Sequence, residues 1–173
     1  MTIPVTPEKP SSFHIQPVQP EQDAAIAHVI EAVGQEFGAI GEGFGPSDDE
    51  VRNMSRHYRP ETRSGYWVAV MDGRVVGGGG IAPFAGSSEV CELRKLFLLP
   101  AYRGYGLGEK LTRTCLTFAQ RQGYRQCYLD TLGNMTQAIA LYEKLGFERL
   151  ERPMDGSIHN GCDVWMLKAL QPA

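Results

Sequence analysis

Apolar positions along this chain fall into two periods, and each change of period marks a new element. Phe13-His14-Ile15 alternates as a short strand that Pro17 ends. Pro20-Glu21 then opens a helical pattern with Ile26, Val29, Ile30 and Val33 on one face, and the glycine-rich stretch 38–45 breaks it. Pro46 and the acids Asp48, Asp49 and Glu50 read as the start of a second helix ending before Pro60, because carboxylates favour the positive end of a helix dipole. Residues 66–71 form a strand rich in β-branched and aromatic side chains, and Asp72-Gly73 is a two-residue hairpin signal. The return strand, 75–82, is interrupted by Gly77-Gly78-Gly79-Gly80. Such a run fits either a bulge or barely stable turn, or a place where another backbone or a ligand comes close. A third long strand, 89–99, closes at Pro100.

From there helices alternate with strands. Residues 106–122 carry the apolar stripe Leu107, Leu111, Cys115, Phe118 and Ala119, with Gly123 as the stop. A strand follows over 126–132, then Asn134 at a helix N-cap position. The next helix has the stripe Ala138, Leu141, Tyr142 and Leu145, and Gly146 ends it. Two last strands, 147–150 and 162–170, flank a polar loop containing Gly156, His159 and Gly161. Hairpins first and strand–helix–strand units later imply an α/β (α+β) domain with a mixed, mostly antiparallel sheet of six to seven strands. Residues 1–12, with Pro4, Pro7 and Pro10, read as a flexible tail, leaving 13–173 as one domain.

Composition narrows the function classes. The chain has 173 residues, 42% hydrophobic and 21% charged, as expected of one globular domain. No apolar run approaches the ~20 residues of a membrane span, and no export signal opens the chain. Cys91, Cys115, Cys127 and Cys162 lack the spacing of a metal site or a disulfide framework, so they read as buried thiols. A cytoplasmic protein without a metal is expected. The net charge of -3 conceals an uneven distribution: residues 94–125 hold seven basic groups and one acidic group. The whole is too acidic for a nucleic-acid binder, whereas a local cationic segment suits a small polyanion or is simply a solvated helix face.

Within that segment, the strand 96–99 runs into Pro100-Ala101-Tyr102-Arg103-Gly104-Tyr105-Gly106-Leu107-Gly108 and a helix. Glycines let successive N–H groups converge, and a helix N-terminus adds further donors. The result is a pyrophosphate cradle. A Walker loop lacks its GK[ST] here, and the glycine spacing is not that of a dinucleotide fold.

Arg103-x-x-Gly106-x-Gly108 after an apolar strand resembles the acyl-CoA signature of the GNAT superfamily of N-acetyltransferases. The resemblance continues through Asn134 and Ala138-Ile139-Ala140-Leu141-Tyr142-Glu143-Lys144-Leu145-Gly146-Phe147. It implies a sheet splayed between its fourth and fifth strands and acetyl-CoA as co-substrate. The pyrophosphate would lie on the amides of Arg103, Gly104, Tyr105, Gly106, Leu107 and Gly108, with Asn134 on the cofactor arm and the Leu98 amide facing the thioester carbonyl. Tyr142 matches the family's general acid. Glu92 is the candidate base, with Glu89 or water as rivals; strand alternation places Glu92 with Leu96 and Leu98 unless a bulge intervenes. The implied acceptor is the primary amine of a small molecule, an amine or amino acid. A protein N-terminal or lysine acetyltransferase and a non-catalytic acyl-CoA module are the alternatives. For the acceptor region, acids at 48–50 suit a cationic amine or merely start a helix, and Arg52, Arg56 and His57 suit a carboxylate. The family also implies a possible homodimer through the late strands.

Overall fold

The computed structural model describes residues 12–172, so the expected tail lies outside the described residues except for Ser12. Seven strands form one sheet in the order β1-β2-β3-β4-β5-β7-β6. They are β1 (Phe13–Pro17), β2 (Gly65–Met71), β3 (Arg74–Pro83), β4 (Val90–Leu98), β5 (Gln126–Thr131), β6 (Glu148–Leu150) and β7 (Val164–Ala169). All neighbours are antiparallel except β4 and β5, which run parallel and pair only from Val90↔Gln126 to Glu92↔Tyr128. Beyond Glu92 the two strands separate, which is the expected splay. Both edges of β7 are taken, by β5 and β6, so within the described sheet the late-strand edge is β6.

Helix α1 (Asp23–Glu36) covers one face and α3 (Leu107–Arg121) the other, with α4 (Thr136–Lys144) beside α3. On the first face Ile26, Val29, Ile30 and Val33 pack with Tyr66, Val68, Val70 and Ala82. On the second, Leu107 and Leu111 pack with Ala69, Met71 and Val76, while Cys115 and Ala119 pack with Cys91, Leu93, Cys127 and Met166. Cys91, Cys115 and Cys127 are buried free thiols, as read from the sequence, and Cys162 is half-buried.

The expected second helix does not form over 46–59. Its place is taken by 3-10 turns at Gly45–Ser47 and Asp49–Asn53 and one α-helical turn, α2 (Met54–His57). The physical cause is tertiary. Asp48 stays extended (φ -63°, ψ 143°) without capping the turn, because its carboxylate and that of Glu50 bind the buried Lys95 ammonium at 3.0 and 2.6 Å.

The four glycines of β3 hold a bulge, and neighbouring backbone also comes close: a Cβ on Gly77 would lie 2.6 Å from the Phe97 carbonyl oxygen and one on Gly80 2.8 Å from that of Gly65. The register with β4 shifts between Gly78 and Gly80, which is a bulge. A Cβ on Gly78 would lie 2.6 Å from Tyr66 Cε1 and one on Gly80 2.5 Å from Tyr66 Cδ2, so the Tyr66 ring lies against this backbone. Opposite the shift, Lys95 takes a left-handed φ of 51°. The bulge inverts the alternation of β4: Cys91 and Leu93 face α3 before it, Leu96 and Leu98 face α3 after it, and Phe97 and Leu99 pack on the α1 side. Glu92, opposite Ala82 on the α1 side, therefore does not share a face with Leu96 and Leu98. That corrects the uninterrupted alternation.

Candidate active site

The separation of β4 from β5 opens a cleft of about 490 Å³ whose walls include Leu98, Arg103, Gly104, Gly106, Leu107 and Gly108 on one side and Asn134 to Ala138 on the other. Gly104 (φ 89°) and Gly106 (φ 81°) hold left-handed conformations that an ordinary side chain would strain, and they turn the chain into α3. The Arg103 amide is spent on the Pro100 carbonyl at 3.3 Å. The amides of Gly104 to Gly108 donate to no backbone carbonyl among the described residues, so five successive donors precede or open the helix. The Tyr105 side chain is exposed and does not line the cleft.

The Leu99 amide donates to the Val76 carbonyl at 2.9 Å. Since antiparallel strands alternate bonded and non-bonded pairs, the Leu98 amide and carbonyl turn away from β3, toward the opened side. The Leu98 carbonyl accepts from Arg103 Nε (3.1 Å) and Nη2 (2.8 Å). Arg103 also grips Glu36, the last residue of α1, with two bonds of 2.7 Å. Across the cleft, Asn134 Nδ2 donates to the Phe37 carbonyl at 3.0 Å. The N-cap of α4 is Met135 rather than Asn134, so the capping expectation fails; the side-chain NH2 of Asn134, not the oxygen a cap would use, ties the β5–α4 turn to the end of α1.

A smaller cavity of about 70 Å³ adjoins the cleft, with Leu96, Phe97 and Met135 lining both. Glu92 and Tyr142 both line this cavity. They approach from opposite faces of the sheet: Glu92 from the α1 side, Tyr142 from the core between α3, α4 and the sheet. Burial pushes the Tyr142 hydroxyl well above its ordinary value. Burial also raises the Glu92 carboxyl, against the opposing pull of Arg94, whose Nε donates to Glu92 Oε1.

Sequence reasoning missed the polar network that closes this cavity. His159 Nε2 meets Asp48 Oδ2 at 2.9 Å and its Nδ1 meets Asp130 Oδ1 at 3.3 Å. Burial opposes the His159 charge, but hydrogen bonds to Asp130 and Asp48 prevail and lift its pKa to about 10. Burial would raise the Asp48 carboxyl, yet His159 and Lys95 together hold it below the usual range. Ligand atoms of Glu92, Asp130 and His159 lie within 4.8 Å of one another, each already engaged by Arg94, Ser157 or Asp48. The same contacts zip two loops together: the Gly161 amide donates to the Gly43 carbonyl at 3.0 Å, and the Phe44 ring lies against Gly161.

The basic segment is thus less available to a polyanion than its charge suggests. Arg94 and Lys95 are internal ion partners, Arg113 pairs with Glu109 at 3.2 Å, and Lys110 sits over the Phe13 ring at 4.2 Å. Asp48 and Glu50 likewise serve Lys95, and Arg52 pairs with Glu31 at 3.0 Å.

With this geometry in place, residues 30–147 match the model of the acetyltransferase (GNAT) family. The Escherichia coli (strain K12) protein named uncharacterized N-acetyltransferase YjgM is 41% identical over 152 residues, covering 87% of this chain and 90% of that protein. A GNAT-family acetyltransferase from Staphylococcus aureus superposes with a TM-score of 0.80 at 18% identity, covering 92% of this chain and 100% of that one. The Salmonella typhimurium protein yncA, a putative acetyltransferase solved with acetyl-CoA, superposes with a TM-score of 0.75 at 22% identity over 94% and 96% of the two chains. No helix of the described residues is long and apolar enough to cross a membrane. The chain belongs to the acetyltransferase (GNAT) family and is an N-acetyltransferase.

Proposed function

We propose that the protein moves an acetyl group from acetyl-CoA directly to the primary amine of a small molecule, with Tyr142 as general acid and Glu92 as base. One observation carries this reading: Glu92 and Tyr142 reach a single cavity from opposite faces of the sheet, at the inner end of a cleft whose outer end offers the amides of Gly104 to Gly108. The donor amides and the dipole of α3 suit a diphosphate. The apolar walls at Leu96, Phe97, Leu98 and Met135 suit an extended arm between them and the cavity, with Asn134 at its side. The Leu98 amide, turned from β3, is the donor for negative charge developing on the thioester oxygen; one such donor contributes about 3 kcal/mol.

The remaining chemistry is proton transfer. An ammonium has no lone pair, so Glu92 takes its proton, and the raised carboxyl makes that transfer more favourable than at an exposed glutamate. As the C–N bond forms and the C–S bond breaks, Tyr142, still protonated at neutral pH, gives its proton to the departing thiolate; the nitrogen sheds its second proton to water, which reprotonates the tyrosinate. The loops joined at Gly43, Phe44, His159 and Gly161 cover the cavity, which supports a small acceptor over a protein chain. A panel of amines and amino acids with acetyl-CoA, reading free thiol release, tests the proposal. Release with a small amine and none with lysine-bearing peptides is the expected result; the converse overturns the acceptor class.

A further inference from the structure

Glu36 stands where a carboxylate is least expected. It lines the same cleft as Gly104, Gly106 and Gly108, whose amides suit an anion. Its two oxygens take one N–H each from Nη1 and Nη2 of Arg103, at 2.7 Å. The Leu98 carbonyl takes one from Nε and another from Nη2, at 3.1 and 2.8 Å. A guanidinium has five N–H donors. In this arrangement four are engaged inside the protein, leaving a single Nη1 hydrogen for any further anion. The one full positive charge in the glycine turn is therefore already matched by a full negative charge on its rim.

Glu36 is not needed to hold α1 in place. Ile26, Val29, Ile30 and Val33 are almost wholly buried and fix that helix, and the Asn134 bond to the Phe37 carbonyl secures its end. The pair is also open to solvent, with side-chain exposures of 24% for Arg103 and 35% for Glu36. A pair so placed is exchangeable rather than structural.

We propose that Glu36 competes with the cofactor's diphosphate for Arg103, and so sets how loosely diphosphate-bearing carriers are held. The inference rests on reading this cleft as the acyl-CoA site. Substrate and product carry the same diphosphate, so tight capture of one delays departure of the other. A rival carboxylate within reach of the same guanidinium weakens both and favours turnover. It does so only for carriers with the anionic group; the pantetheine arm, which touches neither charge, is unaffected.

The test is calorimetric titration of the full chain, wild type and Glu36→Gln, with CoA and separately with pantetheine, which lacks the phosphates. The expected result is CoA binding about two- to fivefold tighter in the variant, with pantetheine affinity unchanged. Glu36→Ala repeats the measurement without the amide, and thermal melts of both variants verify the fold. Unchanged or weaker CoA binding in a folded variant overturns the competition and makes Glu36 a tether for Arg103. Equal tightening toward both ligands also overturns it, since a general widening of the cleft would then be the cause. Failure of wild-type protein to bind CoA at all overturns the cleft assignment instead.

Discussion

Tyr66 donates its hydroxyl hydrogen bond to the main-chain carbonyl of Lys95 at 2.7 Å. The bond joins β2 to β4 across the glycines of β3, and it satisfies the carbonyl of the residue whose left-handed backbone forms the bulge. Just before this point β4 parts from β5. Tyr66→Phe keeps the ring and leaves that carbonyl without its partner in a buried setting. Urea unfolding should show a loss of about 1–3 kcal/mol. Acetyl-CoA affinity should fall as well, because the strand that lines the cleft loses its pin. A variant of wild-type stability would show that the bulge holds without Tyr66.

Gly80→Ala is expected to be as costly by a different route. Its new methyl would meet Tyr66 Cδ2 at 2.5 Å and the Gly65 carbonyl at 2.8 Å, a side chain and a backbone that are both hemmed in. Overpacking of this kind costs about 1–3 kcal/mol. Thermal melts separate this from a surface effect: Gly73→Ala lacks neighbours within 4 Å and carries only the penalty of its positive φ, so its loss should be smaller.

Where an element is specified by neighbours in sequence, it was legible. The stripe of α3, the Asp72-Gly73 hairpin and the glycine turn before Leu107 all stand where the pattern placed them, because period, turn chemistry and backbone freedom are local. The residues that went unread are claimed from far away. Asp48 and Glu50 look like helix-start acids, yet Lys95, more than forty positions later, takes both. His159 sits in a loop without period, and its partners Asp130 and Asp48 are 29 and 111 positions off. Asn134 stands one residue before the α4 N-cap, Met135, and its side-chain NH2 donates to the Phe37 carbonyl, 97 positions away. That Leu96 and Leu98 lie on the face opposite Glu92 turns on one left-handed residue, Lys95, whose type gives no sign of it.

His159 joins the two loops over the cavity as a cation between two carboxylates. Its folded pKa, about 10, lies above the ordinary imidazole value of ~6.5. The stability it contributes is therefore full below pH ~6.5 and is lost as the pH rises through about 10. His159→Gln leaves Asp48 and Asp130 without that charge, and a loss of about 3 kcal/mol is expected at pH 6. Unfolding of wild type and variant at pH 6, 8 and 10 checks this: the gap should narrow with rising pH. A gap independent of pH would mean that His159 serves by shape alone.

Glu92 and Tyr142 make separable demands on the pH profile. A base must be ionised, and burial raises the Glu92 carboxyl, so activity that depends on it falls as the pH drops through that raised value. The acceptor's own titration contributes to the profile too, and the ratio of wild-type to Glu92→Gln kcat/KM at each pH removes it. That ratio should be about 100 or more at pH 8 and should decline toward acid. Tyr142 differs in sign: its hydroxyl must stay protonated, and burial pushes its pKa up, so it adds no alkaline fall below pH ~10. Tyr142→Phe should lower kcat about a hundredfold at all accessible pH values and leave CoA affinity unchanged. If Glu92→Gln gives a ratio that does not vary with pH, water takes the proton and Glu92 only holds Arg94 in place. If Tyr142→Phe turns over at the wild-type rate, the tyrosine is a packing residue of the core it shares with Phe147.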